Sequence, residues 1–164
     1  MKIVILYFLI ILLGLNSAAV HSDTMPAGNM YDKILGRHNY YRKQHNAPDL
    51  KWNDEISAVA QEWADRLAKE NKMYHRQPNK YGENIYWVSG GMPSGEDAVD
   101  AWYSEIEFYN FKRPGFSGKT GHFTQLVWAS TTEIGCGIAR SKSGGVYIVC
   151  NYSCFAFKKL SKTR

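Results

Sequence analysis

Gly121-His122-Phe123-Thr124-Gln125-Leu126-Val127-Trp128 is the stretch where a helical pattern gives way to a sheet pattern. Before it, residues 110–120 are rich in Gly, Pro, Lys and Phe and read as loop. After it, from Glu133, strict alternation takes over. Within it, one histidine and one glutamine stand among Phe, Leu, Val and Trp. An imidazole in that company is partly buried, and it must find a partner or stay neutral. The rest of the chain bears on what His122 faces.

Downstream, Ile134, Cys136 and Ile138 alternate with Gly135, Gly137 and Ala139. Val146, Ile148, Cys150 and Tyr152 alternate again, and Ser141 to Gly145 reads as a turn between them. This predicts an antiparallel hairpin. With a five-residue turn Arg140 faces Val146, and Cys136 falls opposite Cys150. Opposed residues have Cα atoms about 4.5–5.5 Å apart, within disulfide reach. Cys136–Cys150 is therefore the expected bridge, and Cys154 is the odd cysteine of three.

Upstream, three helices are expected. Ile34, Leu35, His38 and Tyr41 make a stripe within Met30 to Gln44, which ends before Pro48. Leu50 and Trp52 read as a short apolar entry to the second helix. Asn53 is a good N-cap, with Asp54 and Glu55 at the positive end of the dipole. Ile56, Val59, Ala60, Trp63, Leu67 and Ala68 then give the clearest amphipathic helix, ending near Asn71. Lys72 to Lys80 is polar loop and carries His75. Tyr81 to Val88, closed by Gly90-Gly91, reads as a strand. Ser94-Gly95-Glu96-Asp97 resembles a capping box, opening a helix expected to run to about Tyr109. Glu105 falls at the margin of its apolar stripe, an unusual place for a carboxylate without a partner.

At the N-terminus Lys2, an apolar run from Ile3 to Leu15 and Ser17-Ala18-Ala19 have the layout of a signal peptide, cleaved after Ala19. The run would span about 20 Å as a helix, short of the roughly 30 Å of a bilayer core. Residues 20–29 read as a disordered lead-in, 30–157 as one domain, and 158–164 as a basic tail. Removing Lys2 lowers the net charge from +5 to +4. Lys and Arg are scattered rather than clustered, which argues against nucleic acid as a partner. The basic tail allows weak contact with a membrane surface. Export implies an oxidising, extracellular destination in which cysteines pair.

Taken singly, His75, Glu83, Glu105 and His122 are each better explained as structural residues, and no compact metal signature is present. Four segments change that reading together. They are His38-Asn39-x-x-Arg42, Gly82-Glu83-Asn84-Ile85, the Gly121–Trp128 octamer, and Tyr147-Ile148-Val149-Cys150-Asn151-Tyr152. In this order they resemble the CAP superfamily: cysteine-rich secretory proteins, insect venom allergens and plant pathogenesis-related proteins. Trp102-Tyr103-Ser104-Glu105-Ile106 is similar to the family helix that carries a second glutamate.

The resemblance implies an α+β fold, a three-layer α-β-α sandwich with a central antiparallel sheet. It implies a cleft with His75 and His122 as ligands for a divalent metal, often zinc, and Glu83, Glu105 and Gln125 lining it. Neutral imidazole suits Zn²⁺, and carboxylates suit the shell behind it. Catalytic zinc sites usually have three protein ligands. The expected function is therefore non-enzymatic binding of a small apolar ligand, a sterol or fatty acid, or of an extracellular protein. Tyr81 and Trp87, beside Gly90-Gly91-Met92-Pro93, are the expected ligand-binding aromatics. The alternatives are a metal-dependent hydrolase using Glu83 and Glu105, and an immune or signalling protein acting through its surface. The chain departs from the family pattern in having three cysteines rather than six, Arg76 where a serine commonly follows the first site histidine, and Cys154 near the usual Pro-x-Gly-Asn. The sequon Asn151-Tyr152-Ser153 falls in an expected strand, where glycosylation is disfavoured.

Overall fold

A computed structural model describes residues 27–153. The expected signal peptide, Cys154 and the basic tail lie outside the described residues. Four α-helices, a 3₁₀ turn and four strands follow in the order α1 (Ala27–Gln44), β1 (Lys51–Trp52), α2 (Asp54–Glu70), β2 (Gly82–Val88), α3 (Gly95–Tyr103), the 3₁₀ turn Ser104–Phe108, α4 (Gly121–Leu126), β3 (Glu133–Arg140) and β4 (Val146–Tyr152). The strand order is β1-β3-β4-β2.

The hairpin has the expected register. Arg140 faces Val146, Cys136 faces Cys150, and the two cysteines are bonded with Cα atoms 4.1 Å apart. β2 adds antiparallel to the other side of β4. The sheet is mixed, not wholly antiparallel: β1 pairs parallel with β3 through Lys51↔Glu133 and Trp52↔Ile134. Two residues are too few to carry a period, so β1 read only as an apolar entry to α2.

Alternation along the hairpin sends its two faces to different helices. Ile134, Cys136, Ile148, Cys150 and Tyr152 pack with Ile34 of α1 and Ala98, Val99 and Trp102 of α3. Ala139, Tyr147, Val149 and Ile85 pack with Ala60, Trp63, Ala64 and Leu67 of α2. This makes three layers. Gly135 and Gly137 turn toward α2, where a Cβ would lie 2.1 Å from the Ser57 nitrogen and 2.2 Å from the Gln61 Cα. The α2 backbone thus lies directly on the sheet.

The caps are as expected. Asn53 accepts from the Ile56 amide, and Ser94 and Asp97 close a full capping box. Two boundaries differ. α1 begins at Ala27, three residues before Met30, inside the stretch expected as lead-in. α3 tightens at Ser104, whose hydroxyl donates back to the Ala101 carbonyl at 2.8 Å. Such back-bonding favours a change of winding, and 3₁₀ turns are common at helix ends. Glu105 is thereby carried on a tighter turn than α3.

Two buried polar side chains fix α1 to the rest. The Arg42 guanidinium donates to the carbonyls of Pro48, Leu126, Trp128 and Thr131 at 2.7–3.0 Å. His38 Nδ1 donates to the Ile34 carbonyl, and Nε2 lies 2.8 Å from the Tyr152 hydroxyl. Burial lowers the His38 pKa to about 4.

His38 is neutral in the fold but takes a proton in the unfolded chain below about 6.5. Its contribution to stability is complete above that value and is lost as pH falls toward 4. Thermal unfolding between pH 7 and 4 should show this loss, on the order of 3 kcal/mol. The dependence should be flatter in His38→Gln.

Candidate functional site

The cleft lies where the start of β2, the loop after α2 and the start of α4 converge. Its volume is about 390 Å³, and His75, Arg76, Tyr81, Glu83, Asn84, Phe116, His122 and Gln125 are among its lining residues. The bare backbone of Gly82 lets the Gln125 amide pack against it: a Cβ there would lie 2.1 Å from the Gln125 Oε1.

Each histidine is held by a carboxylate. The Glu83 Oε1 lies 2.8 Å from His75 Nδ1 and accepts the Arg76 amide at 3.1 Å. The Glu105 Oε1 lies 2.6 Å from His122 Nδ1, and its Oε2 accepts the His122 and Phe123 amides at 2.9 and 3.2 Å. A carboxylate accepts, so Nδ1 carries the proton in both rings and Nε2 presents its lone pair. Neither Nε2 has a hydrogen-bond partner among the described residues. Glu105 also takes the place of a missing side-chain cap on α4, since Thr120 makes none.

The two pairs differ in exposure. The Glu83 side chain is 4% exposed beneath a His75 side chain that is 57% exposed. The hydrogen bond to Glu83 raises the His75 pKa, against the opposing effect of burial. The Arg76 guanidinium is neutralised by Glu62, pairing with both its oxygens at 3.0 and 3.2 Å. It also donates to the Val59 carbonyl.

The cleft thus gathers His75, His122, Glu83, Gln125 and Tyr81. Glu105, expected to line it, is not among the lining residues and reaches the cleft only through the His122 ring that it holds. The cleft does not gather Trp87, which stands at the far end of β2, 46% exposed, beside Tyr147 and Gly145. Six residues along a strand is about 20 Å. Asn84 and Phe116 are lining residues that the sequence did not single out. Asn84 Nδ2 donates to the His122 carbonyl at 3.2 Å and to the Tyr152 hydroxyl at 3.1 Å, tying β2 to α4. Its place beside Glu83 in Gly82-Glu83-Asn84-Ile85 was the available signal.

Among the described residues, no three His, Cys, Asp or Glu side chains are close enough together to hold a metal ion. The site is an open cleft with two carboxylate-backed imidazoles on an α-β-α sandwich.

The comparisons agree with that class. The model of the cysteine-rich secretory protein (CAP) family matches residues 35–152, and the chain belongs to this family. Human Golgi-associated plant pathogenesis-related protein 1 is 37% identical over 125 residues, 74% of this chain and 80% of that protein. Secreted protein RBT4 of Candida albicans is 37% identical over 126 residues, 73% of this chain and 33% of that protein. Among solved structures, that of NaASP2 with Zn²⁺ has a TM-score of 0.59 at 26% identity, covering 76% of this chain and 79% of that one.

Replacing Glu83 by Gln keeps an acceptor at His75 but removes the charge. The His75 titration midpoint should fall from its raised value toward the ordinary one near 6.5. A nitrogen-detected NMR titration of the two imidazoles reads this directly.

Proposed function

We propose that this chain is a secreted, non-enzymatic CAP-domain protein that binds a small apolar ligand, with a fatty acid ahead of a sterol. The observation that carries this is the loop joining the 3₁₀ turn to α4. Phe108, Phe111 and Phe116 are 68, 61 and 48% exposed, and Phe116 also lines the cleft.

The loop is held in shape rather than loose. The Asn110 side chain accepts the Lys112 amide, its carbonyl accepts the Arg113 amide, and the Tyr109 hydroxyl accepts the Gly115 amide. Phe111 stacks on the His45 ring. Fully burying one such side chain is worth about 1.5–3 kcal/mol. A held loop that keeps Phe108 and Phe111 largely exposed favours a ligand that covers them. Lys112, Arg113 and Lys119 lie in the same segment, and no acid occurs between Glu107 and Glu133. That charge suits a carboxylate headgroup and allows a weak anionic membrane contact.

Binding is favoured over hydrolysis by the state of the carboxylates. Both Glu105 oxygens accept bonds from His122 or the α4 amides, and the Glu83 side chain is buried beneath His75, so both carboxylates are engaged in holding the rings. Secretion is supported by the N-terminal sequence layout and by RBT4, a relative named as secreted.

The cleft fits a divalent cation in donor type. Each imidazole is oriented through Nδ1 and keeps Nε2 available, the arrangement seen around zinc-binding histidines. NaASP2, a structural relative, has been solved with Zn²⁺. Two imidazoles make a weaker site than the three or four ligands of established zinc centres. Zinc bound there supplies a positive charge in the cleft, while His75 and His122 hold it and Glu83 and Glu105 orient the rings.

Titration with a fluorescent long-chain fatty acid should show micromolar binding, weakened about tenfold by Phe111→Ser. The double variant His75→Ala, His122→Ala should lose zinc and keep the fatty acid. Absence of micromolar binding overturns the lipid reading. Peptide or ester hydrolysis that is lost in Glu83→Gln would replace it with the hydrolase.

A further inference from the structure

Among the described residues, three buried side-chain nitrogen or oxygen atoms have no hydrogen-bond partner: Glu83 Oε2, Asn151 Nδ2 and Asn151 Oδ1. They belong to two residues that face each other across the β2–β4 pair. Side chains of directly opposed residues point to the same face of a sheet. That face is the one α2 covers, since Ile85 and Val149, the next residues along on the same side, pack with Ala60 and Trp63. On the other flank of Asn151 the register places Gly135, which has no side chain and lies against the α2 backbone. The three atoms are therefore enclosed by sheet and helix, behind the floor of the cleft.

We infer that Glu83 and Asn151 together bind one buried water molecule, and that Asn151 is through it a positioning residue for the Glu83–His75 arm of the cleft. The count of donors and acceptors selects the occupant. The ionised carboxylate offers one acceptor, and the amide offers one acceptor and a donor group. A water molecule donates twice and accepts, so it satisfies all three atoms. A cation would meet the two oxygens but would face the amide N–H. A direct Asn151–Glu83 bond would satisfy Nδ2 and Oε2 and leave Oδ1 without a partner. Each buried polar atom left unpaired costs about 1–3 kcal/mol, and buried waters typically make about three hydrogen bonds.

The arm ends at the cleft. Glu83 Oε1 receives His75 Nδ1 and the Arg76 amide. Fixing Oε2 from behind fixes the plane of the carboxylate, and with it the direction of the His75 ring. This holds whether or not the cleft takes a metal or a lipid.

A wild-type crystal structure at atomic resolution should show one water within hydrogen-bond distance of all three atoms. A direct Asn151–Glu83 bond with no such water overturns the inference. In solution, the Arg76 amide reports on the carboxylate. Asn151→Leu, which fills the same volume without polar atoms, should speed Arg76 amide hydrogen exchange at least tenfold. Asn151→Ser, which keeps a hydroxyl and leaves room for water, should bring it back near the wild-type rate. Should Asn151→Leu fail to fold, the wild-type crystal structure and the Asn151→Ser exchange rate decide. Fast exchange in both variants assigns Asn151 a packing role, and wild-type exchange in both removes it from the arm.

Discussion

A single buried cation holds this fold in one piece. Arg42 sits in the last turn of α1 with no exposure, and its guanidinium meets carbonyl oxygens, not a carboxylate. A buried charge without an acid is tolerable only when dipoles replace the water it lost. Here four carbonyls do so, and three of them belong to the segment that leaves α4 and enters β3. Burial lowers the Arg42 pKa from a value so high that the group stays charged. The chain from Val127 to Thr131 has no regular structure of its own, so its course follows from the geometry of this fork.

The cleft depends on that anchor. α4 is a helix of six residues, too short to stand by isolated propensity. It is tied at its end by Arg42 and at its start by Glu105. His122 therefore takes its direction from two side chains that lie 63 residues apart in sequence and meet only through α4. His75 has no such frame. It is on a loop, and its ring is fixed through a buried carboxylate on β2. One half of the cleft is rigid by helix ends, and the other by a strand.

Much of this was legible in the sequence, where a local rule had enough residues to act on. The Asn53 cap, the Ser94–Asp97 box and the hairpin register each follow from a few neighbouring positions, and the register alone set the Cys136–Cys150 bond. The failures share a cause: their determinants are distant or brief. β1 has two residues, and its partner lies 82 positions on. The 3₁₀ turn depends on one serine bonding backward. The role of Glu105 as cap and ring-holder needs a contact with a segment 17 residues away. Arg42 was within reach, because Ile34, His38 and Arg42 recur every fourth residue on the buried face of α1, yet an arginine in that row reads as a break in the stripe. Trp87 stands four residues from Glu83 on the same strand, and an extended chain carries it away from the cleft over that distance.

The helices also act on the margins of the sheet. The Trp102 indole donates to the Ile85 carbonyl on β2, and Ser57 and Gln61 of α2 bond the backbone of Cys136 and Ile138 on β3. These are strand groups that β4 does not use. Outer strands with bare backbone are templates on which a second chain can add itself. In this protein the side chains that dock the helices also occupy those positions. The contacts that hold the helices thus also shield part of the outer strands, and loss of the Trp102 or Gln61 side chain would leave those strand groups bare.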